Sequence, residues 1–310
     1  SLAVLGAGPI GCELSQAMAR LGVSVTLLAD GSEDATGLLP ADEPDAGRIV
    51  ADALRRDGVT IRRDGRSIAV RPAGGEAGVA IDGPEGPLTA QRLLVAVGRT
   101  PNVEGLGLDA VGVEADPRDG VRVDETFRTT NPRIFAAGDV ASARRFTHLA
   151  DFQARTVVRN ALLPWPMNRA RGPALAVPWS TYTSPEVAGV GLTTAEAERR
   201  GLAYDTYRVE LADVDRAILD GETEGFVQAL TARGTDALVG ATVVAPHAGE
   251  LIGELSLAMT HGLGLGKIGA AIQPYPTVGE AIRKLGDQYQ RTRLTPAARG
   301  AFRRWFAWTR

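Results

Sequence analysis

The hydrophobic and polar positions of the first hundred residues alternate in blocks whose lengths match strands and helices. Residues 2–5 are an apolar run, typical of a strand buried on both faces of a parallel sheet. An Ala- and Leu-rich helical stretch follows as far as Gly22, and residues 23–29 predict a second strand. The same pattern predicts further elements: a helix over 44–56, strands over 59–63 and 68–71, and a buried strand inside "RLLVAVGRTPN".

The later pattern predicts a change of architecture. An apolar run at 134–137 predicts a strand, and a helix is predicted from residue 147 or 148 to 163. From about residue 174, five strand-like segments and two helices, over 248–261 and 277–285, predict an antiparallel sheet backed by helices, an α+β domain. We therefore divide the chain into four parts: residues 1–98, 99–170, 174–290 and 291–310.

Three glycines connect the first strand to the first helix. Gly6, Gly8 and Gly11 form G-x-G-x-x-G in the strand–turn–helix context that dinucleotide-binding folds require. The first permits a tight turn, the second lets backbone N–H groups approach a pyrophosphate, and the third permits close packing of helix on strand. The pattern predicts an α/β, Rossmann-like NAD(P)-binding domain over residues 1–98, with a merely structural glycine turn as the alternative.

The end of the second strand predicts the coenzyme. Asp30 follows this strand, and an acidic residue there hydrogen-bonds the ribose 2′-OH of NAD, whereas an arginine would hold the 2′-phosphate of NADP. Glu33 and Asp34 would add repulsion of that phosphate, and no basic residue follows before Arg48. NAD(H) is therefore expected rather than NADP(H), with Asp30 as a simple turn residue as the alternative.

Composition and charge narrow the class of protein. The 310 residues carry a formal net charge of −3, which argues against a nucleic-acid partner. No apolar run is long enough to span a bilayer. A single cysteine excludes an internal disulfide framework and indicates a reducing compartment, so a cytoplasmic protein is expected. No metal-binding residues are predicted.

Five segments resemble the pyridine nucleotide–disulfide oxidoreductase family: "GAGPIGCE", "AVGRTPN", "TNPRIFAAGDV", "YTSPEVAGVGLTTAEA" and "PYPTVGEAI". Members of that family are flavoproteins with an FAD fold that carries a redox-active cysteine pair, an inserted NAD(P)H fold and a dimerisation domain. The resemblance starts at the second nucleotide fold. It implies a homodimer, with 99–170 as part of the FAD domain and 174–290 as the dimerisation domain, in a longer flavoprotein whose cysteines lie upstream of Ser1.

The resemblance also implies how FAD would be held. Asp139, preceded by Gly138, would hydrogen-bond the ribityl chain of FAD. The positive N-terminal end of the helix at Thr147, His148 and Leu149 would face the flavin pyrimidine and stabilise the anionic reduced flavin. A loop-capping aspartate and an ordinary helix N-terminus are the alternatives.

Further residues would serve the nicotinamide. Gly98, followed by Arg99, would lie against the nicotinamide nucleotide, where the lack of a side chain lets the backbone come close. Glu13 matches the family's acidic residue near the nicotinamide; without a lysine partner it would be a first-turn glutamate favoured by the helix dipole. Cys12 lies in the same turn, where a thiol pKa can fall, but a buried filler role is expected.

The segment "PYPTVGE" departs from the disulfide reductases. In those enzymes a His-Pro-x-x-x-Glu motif supplies an acid–base histidine and the glutamate that orients it; here Tyr275 replaces the histidine and Glu280 is retained. A phenol with a pKa near 10 cannot shuttle protons at neutral pH as an imidazole can. Tyrosine at this place is similar to the mercuric-reductase-like branch, although the chain has no C-terminal cysteine pair to deliver a soft metal ion.

The last twenty residues, "RTRLTPAARGAFRRWFAWTR", predict a helix rich in arginine and tryptophan. Aromatic residues at this density usually find a core, so packing on its own domain or on the dimer partner is expected. Contact with a membrane interface is the alternative.

Together these features predict an FAD-dependent NAD(P)H oxidoreductase. Hydride would pass from NAD(P)H to flavin and then to a small-molecule acceptor, a disulfide, metal ion or quinone, near Tyr275 and Glu280 of the partner subunit. The missing histidine disfavours dihydrolipoamide. The alternative function is a nucleotide-binding and dimerisation module that binds NAD(H) without catalysis.

Overall fold

The computed structural model describes residues 1–30, 37–66, 68–74, 78–164, 166–172 and 176–309. The chain forms two compact units: residues 1–97 combine with 178–310, and residues 98–177 form the second. Within the described ranges, no helix combines the length and the apolar character needed to cross a membrane.

A four-stranded parallel sheet forms the first lobe of the larger unit. Its strands are β1 (Leu2–Leu5), β2 (Val25–Leu28), β3 (Thr60–Arg62) and β7 (Arg92–Val95), in the order β3-β2-β1-β7. Helices α1 (Pro9–Arg20) and α2 (Pro44–Arg56) connect successive strands, each with a proline in its first turn, where the missing N–H costs no hydrogen bond. A small antiparallel sheet contains β4 (Ala69–Pro72), β5 (Val79–Asp82) and β6 (Leu88–Ala90). The predicted βαβ unit is confirmed.

The second lobe is the predicted antiparallel sheet backed by helices. Its strands lie in the order β10-β11-β14-β13-β12; they are β10 (Trp179–Thr181), β11 (Glu186–Gly191), β12 (Tyr204–Glu210), β13 (Phe226–Ala232) and β14 (Leu238–Ala245). Helices α6 (Ala248–Thr260) and α8 (Glu280–Arg293) bury Leu255, Ile282 and Leu285 in a core with this sheet.

Both predicted helices of this lobe are present, and three short helices that the pattern did not predict accompany them: α4 (Thr194–Arg199), α5 (Asp215–Asp220) and α7 (Leu265–Ala270). The Thr193 hydroxyl caps α4 by accepting a hydrogen bond from the backbone N–H of Glu196, the Thr-x-x-Glu signal of a helix start. The helix predicted over 277–285 begins and ends later, so the predicted boundary at residue 290 falls inside α8.

The two lobes of the larger unit share a hydrophobic core. Val4, Val50 and Leu54 of the first lobe belong to the same buried cluster as Val187 and Phe226 of the second. Burial of such side chains is the main favourable term in folding. The nucleotide-type sheet and the antiparallel sheet are therefore held together by packing rather than by chain connectivity alone.

The smaller unit contains α3 (Thr147–Leu162), the short strands β8 (Ala115–Asp116) and β9 (Gly120–Val121), and 3₁₀ turns at Asp109–Val111 and Gly138–Val140. The strand predicted over 134–137 was wrong. The segment forms one isolated bridge, between Arg128 and Phe135, because it lies against residues 127–129 and pairs with them over too short a length for a ladder. An apolar run alone could not distinguish these cases.

The predicted C-terminal helix is present as α9 (Pro296–Thr309). None of its residues is buried, and its aromatic side chains are 49–81% exposed. The prediction that this helix packs on its own domain is therefore wrong for the described part of the chain. Packing on a dimer partner stays a prediction.

The shared core yields a stability prediction. Phe226 is fully buried, and the Arg208 guanidinium lies 3.7 Å from its ring centroid. Substitution of Phe226→Ala is expected to lower the free energy of unfolding by about 3–5 kcal/mol in urea titrations, because it leaves a cavity between the lobes. The matched control, Phe302→Ala on the exposed α9, should change it by less than about 0.5 kcal/mol. Equal effects of the two substitutions would contradict the shared core.

Candidate nucleotide-binding site

The glycines between β1 and α1 differ in the space around them. A Cβ on Gly6, which has φ +101°, would lie 2.5 Å from the Ala96 carbonyl oxygen, and one on Gly11 would lie 1.8 Å from that of Gly6. A Cβ on Gly8 would meet nothing within 4 Å. Gly6 and Gly11 are thus needed for the turn and for close helix–strand packing, whereas Gly8 borders open space.

The N-terminus of α1 supplies a place for an anion. Gly8 is the residue before the helix, and no side chain caps it. Uncapped N–H groups and the positive end of the helix dipole favour a phosphate. Open space at Gly8 together with this helix end fits the pyrophosphate of a dinucleotide.

Asp30 lies two residues beyond β2, and its carboxylate pairs with the guanidinium of Arg66. Both side chains are exposed enough to meet a ligand, with side-chain exposures of 47% for Asp30 and 82% for Arg66. Sequence reasoning missed Arg66 because it follows β3, 36 residues away, and parallel pairing of β2 with β3 is what brings it close. Glu33 and Asp34 lie outside the described residues.

Two polar residues of α1 tie this helix to the second lobe. Glu13 Oε1 accepts a hydrogen bond of 2.8 Å from the Tyr182 backbone N–H. The buried Gln16 amide both donates to the Ser184 carbonyl oxygen (2.9 Å) and accepts from the Ser184 N–H (2.8 Å). Glu13 is the fifth helical residue, so describing it as a first-turn glutamate was wrong. Its carboxylate orders the 182–184 loop instead.

Cys12 is fully buried in the first turn of α1, and its Sγ donates to the Ala7 carbonyl oxygen at 3.4 Å. Burial, with a smaller contribution from the Glu13 charge, raises the pKa of the Cys12 thiol to about 12. The helix end does not lower this pKa, because desolvation dominates, and the burial agrees with the filler role expected for Cys12. A thiol that stays protonated is a poor nucleophile, so Cys12 is not suited to redox chemistry.

The smaller unit groups several predicted FAD residues. Gly138 has φ +79°, and its N–H donates to Gln153 Oε1 of α3 at 2.6 Å. The next residue, Asp139, lies with its half-exposed carboxylate 3.8 Å from the Arg99 guanidinium. A half-exposed carboxylate can accept hydrogen bonds from ribityl hydroxyls, so this turn fits a flavin.

Helix α3 begins with Thr147, His148 and Leu149. Its N-cap residue is Phe146, and no side chain caps this end of the helix. The His148 ring stacks on Phe146 with a centroid separation of 5.2 Å. The helix end can thus direct its positive dipole toward an anionic ring. The roles predicted for these residues stay predictions.

Gly98 begins the smaller unit with φ +127°, and a Cβ there would meet nothing within 4 Å. The backbone conformation by itself requires glycine, because other residues rarely adopt it. Contact with the nicotinamide stays a prediction for Gly98.

The Tyr275 hydroxyl donates a 2.6 Å hydrogen bond to Asp215 Oδ2, at the start of α5. This hydrogen bond and the Asp215 charge raise the pKa of Tyr275, so the phenol stays neutral at physiological pH. Glu280, at the start of α8, pairs with Arg283 and Lys284. Tyr275 is thus oriented by Asp215, a partner 60 residues away that the motif did not reveal.

Comparison with known proteins bears on this site. Two family models match, described as "Pyridine nucleotide-disulphide oxidoreductase" over residues 1–160 and as the dimerisation domain of that family over residues 177–285. The chain is 36% identical over 286 residues to mercuric reductase of Streptomyces lividans, covering 91% of this chain and 58% of the relative. It is 33% identical over 293 residues to dihydrolipoyl dehydrogenase of Thermus scotoductus, with coverages of 92% and 61%.

A solved structure shows the same fold. The crystal structure of LpdA from Mycobacterium tuberculosis superposes with a TM-score of 0.82 at 27% identity, covering 93% of this chain and 61% of LpdA. The chain therefore belongs to the pyridine nucleotide–disulfide oxidoreductase family, whose members use FAD and NAD(P)H. It spans about three fifths of the length of these relatives.

Two glycine substitutions separate folding from nucleotide binding. Gly11→Ala forces a Cβ against a backbone carbonyl and should lower the free energy of unfolding by about 3 kcal/mol or more. Gly8→Ala should leave stability nearly unchanged but weaken NADH binding at least about tenfold, because the methyl group enters the space expected for pyrophosphate. Thermal unfolding and NADH fluorescence titration measure the two effects. Unchanged NADH affinity in the Gly8 variant would refute the assignment.

A buried carboxylate just before α2 predicts a pH effect on stability. Asp42 is buried, and Trp179 Nε1 donates to its Oδ1 at 2.6 Å. Burial raises the pKa of Asp42 from 3.8 to about 6, opposed by the Trp179 hydrogen bond. Between pH 3.8 and about 6 the folded state therefore binds more protons than the unfolded state, so the Asp42 contribution to stability falls as pH rises and levels off above that range.

Asp42→Asn keeps the acceptor oxygen without the charge. It should remove this slope and raise stability at pH 7.5 relative to the parent by up to about 3 kcal/mol. Urea unfolding at half-unit pH steps measures the free energy of unfolding for the parent and the variant, with the exposed Asp109→Asn as control. Parallel pH profiles for the parent and the Asp42 variant would contradict the prediction.

Proposed function

We propose that this chain is the coenzyme-binding and dimerisation portion of a homodimeric, cytoplasmic FAD-dependent oxidoreductase that takes its hydride from NADH. The observation that carries the proposal is the glycine turn, in which Gly8 borders open space at the uncapped N-terminus of α1. Family membership supports flavin as the hydride acceptor. FAD, when bound, accepts the hydride and passes its electrons on.

The residues of the chain divide the work. The α1 N-terminus and Gly8 would hold the coenzyme pyrophosphate, and Asp30 its adenosine ribose. Asp139 and the α3 N-terminus would hold the flavin, with the helix dipole favouring negative charge on its pyrimidine ring. Glu13 would act as a positioning residue, because its carboxylate orders the backbone at Tyr182.

The electron acceptor would bind near Tyr275. The neutral phenol of Tyr275, hydrogen-bonded to Asp215, can donate or accept a hydrogen bond but cannot exchange protons at neutral pH as an imidazole can. This favours acceptors that need no thiol acid–base partner, a metal ion or a quinone, with a disulfide as the other candidate. Dihydrolipoamide is disfavoured for the same reason.

The Asp30–Arg66 pair supports NADH over NADPH. The Asp30 carboxylate would accept hydrogen bonds from the ribose hydroxyls and would repel a 2′-phosphate. It also forms an ion pair with the Arg66 guanidinium, which is then not available to a phosphate. Removal of the carboxylate would leave Arg66 free to bind phosphate, since arginine pairs readily with phosphate oxygens.

Coenzyme binding to the 310-residue chain tests this pair. Asp30→Asn should weaken NADH binding about tenfold and strengthen NADPH binding about tenfold, measured by coenzyme fluorescence. The double variant Asp30→Asn/Arg66→Ala should lose the gain for NADPH. If the gain survives in the double variant, Arg66 has no part in coenzyme selection.

The proposed reaction has its own test. NADH binding to the chain at about one equivalent is expected, and absence of binding would overturn the proposal. In the FAD-containing holoenzyme, NADH added without oxygen should bleach the flavin absorbance faster than NADPH does. If NADH binds but the flavin absorbance does not change, the protein is a nucleotide-binding module and not an oxidoreductase.

A further inference from the structure

Helix α9 presents two chemically different faces. Helical spacing places Phe302, Trp305, Phe306 and Trp308 along one side, which we call the aromatic face. Arg303 and Arg304 lie away from Phe302 on the other side, the arginine face, and Arg299 borders the aromatic face. The helix is therefore amphipathic, with its basic residues beside and opposite the aromatic ones.

Phe302, Trp305 and Trp308 of the aromatic face are at least half exposed in the described part of the chain. Trp308 is 81% exposed and Trp305 57% exposed. Their rings lie 5.8 Å apart, and those of Phe302 and Phe306 stack at 6.2 Å, so the four rings form two contacting pairs. An exposed apolar surface of this kind marks a contact surface.

Charge indicates the kind of partner. The last twenty residues contain six arginines and no acidic residue, in a chain whose formal net charge is −3. The rest of the molecule is therefore more acidic than the whole, and the basic excess is concentrated in this one segment. Such a segment is complementary to a surface that displays phosphate groups.

The apolar residues are of a particular type. The helix contains aromatic residues and alanines but no Leu, Ile, Val or Met. Trp and Phe beside arginine are side chains favoured at the boundary between headgroups and acyl chains. This composition, with basic and no acidic residues, fits an anionic lipid surface.

We propose that α9 docks in the plane of an anionic membrane surface, with the aromatic face inserted at the headgroup–acyl boundary and the arginine face toward phosphate groups. Because α9 buries no residue in the described fold, docking requires no rearrangement of the two lobes. The proposal stands independently of the coenzyme and of the acceptor.

Flotation of the full chain with phospholipid vesicles tests the proposal. Vesicles with about 30% phosphatidylglycerol should bind at least about tenfold more protein than pure phosphatidylcholine vesicles, and salt should weaken the binding. The emission of Trp305 and Trp308 should shift to shorter wavelength on binding. Failure to bind anionic vesicles overturns the proposal.

Variants on each face sharpen the test. Trp305→Ala/Trp308→Ala should abolish insertion, and Arg303→Gln/Arg304→Gln should reduce the preference for anionic lipid about tenfold or more. Arg233→Gln and Leu219→Ala, exposed sites outside α9, are the matched controls and should bind as the parent does. If the tryptophan variant instead dissociates a dimer that ignores vesicles, a second copy covers the aromatic face and the proposal is wrong.

Discussion

The absence of two Cβ atoms controls the geometry of the larger unit. Helix α1 approaches β1 so closely that a single methyl group on Gly11 would overlap the Gly6 carbonyl oxygen. This approach aims the N-terminus of α1 at the carboxyl end of the parallel sheet, where open α/β folds bind their ligands. It also brings the opposite flank of the helix within reach of the second lobe.

That flank couples the nucleotide turn to the antiparallel lobe. Glu13 and Gln16 bind the backbone at 182–184, and the core around Phe226 lies beneath the same junction. Buried polar groups with satisfied partners favour one arrangement, since any other leaves them unpaired. The parallel-sheet and antiparallel lobes thus form one packed body, consistent with their shared compact unit.

Charge at the candidate sites is set by pairs that are distant in sequence. Arg66 joins Asp30 across neighbouring strands, and Asp215 holds the hydroxyl of Tyr275. In each pair, one member is a residue that its sequence motif indicates, and the other sets its charge or its hydrogen bonding. The motif supplies the chemical type of the residue, and the partner determines whether its charge or proton is available.

Local periodicity and short-range spacing were enough to predict the βαβ unit, the glycine turn and the antiparallel sheet of the second lobe, and five sequence segments carried the resemblance to the family. Contacts between distant parts of the chain set the strand order of that sheet, the raised pKa of Cys12, the partners of Asp30 and Tyr275, and the failure of residues 134–137 to form a strand. Desolvation, ion pairing and strand pairing depend on what surrounds a residue in space, and neighbours in space are not encoded in any local window of the chain.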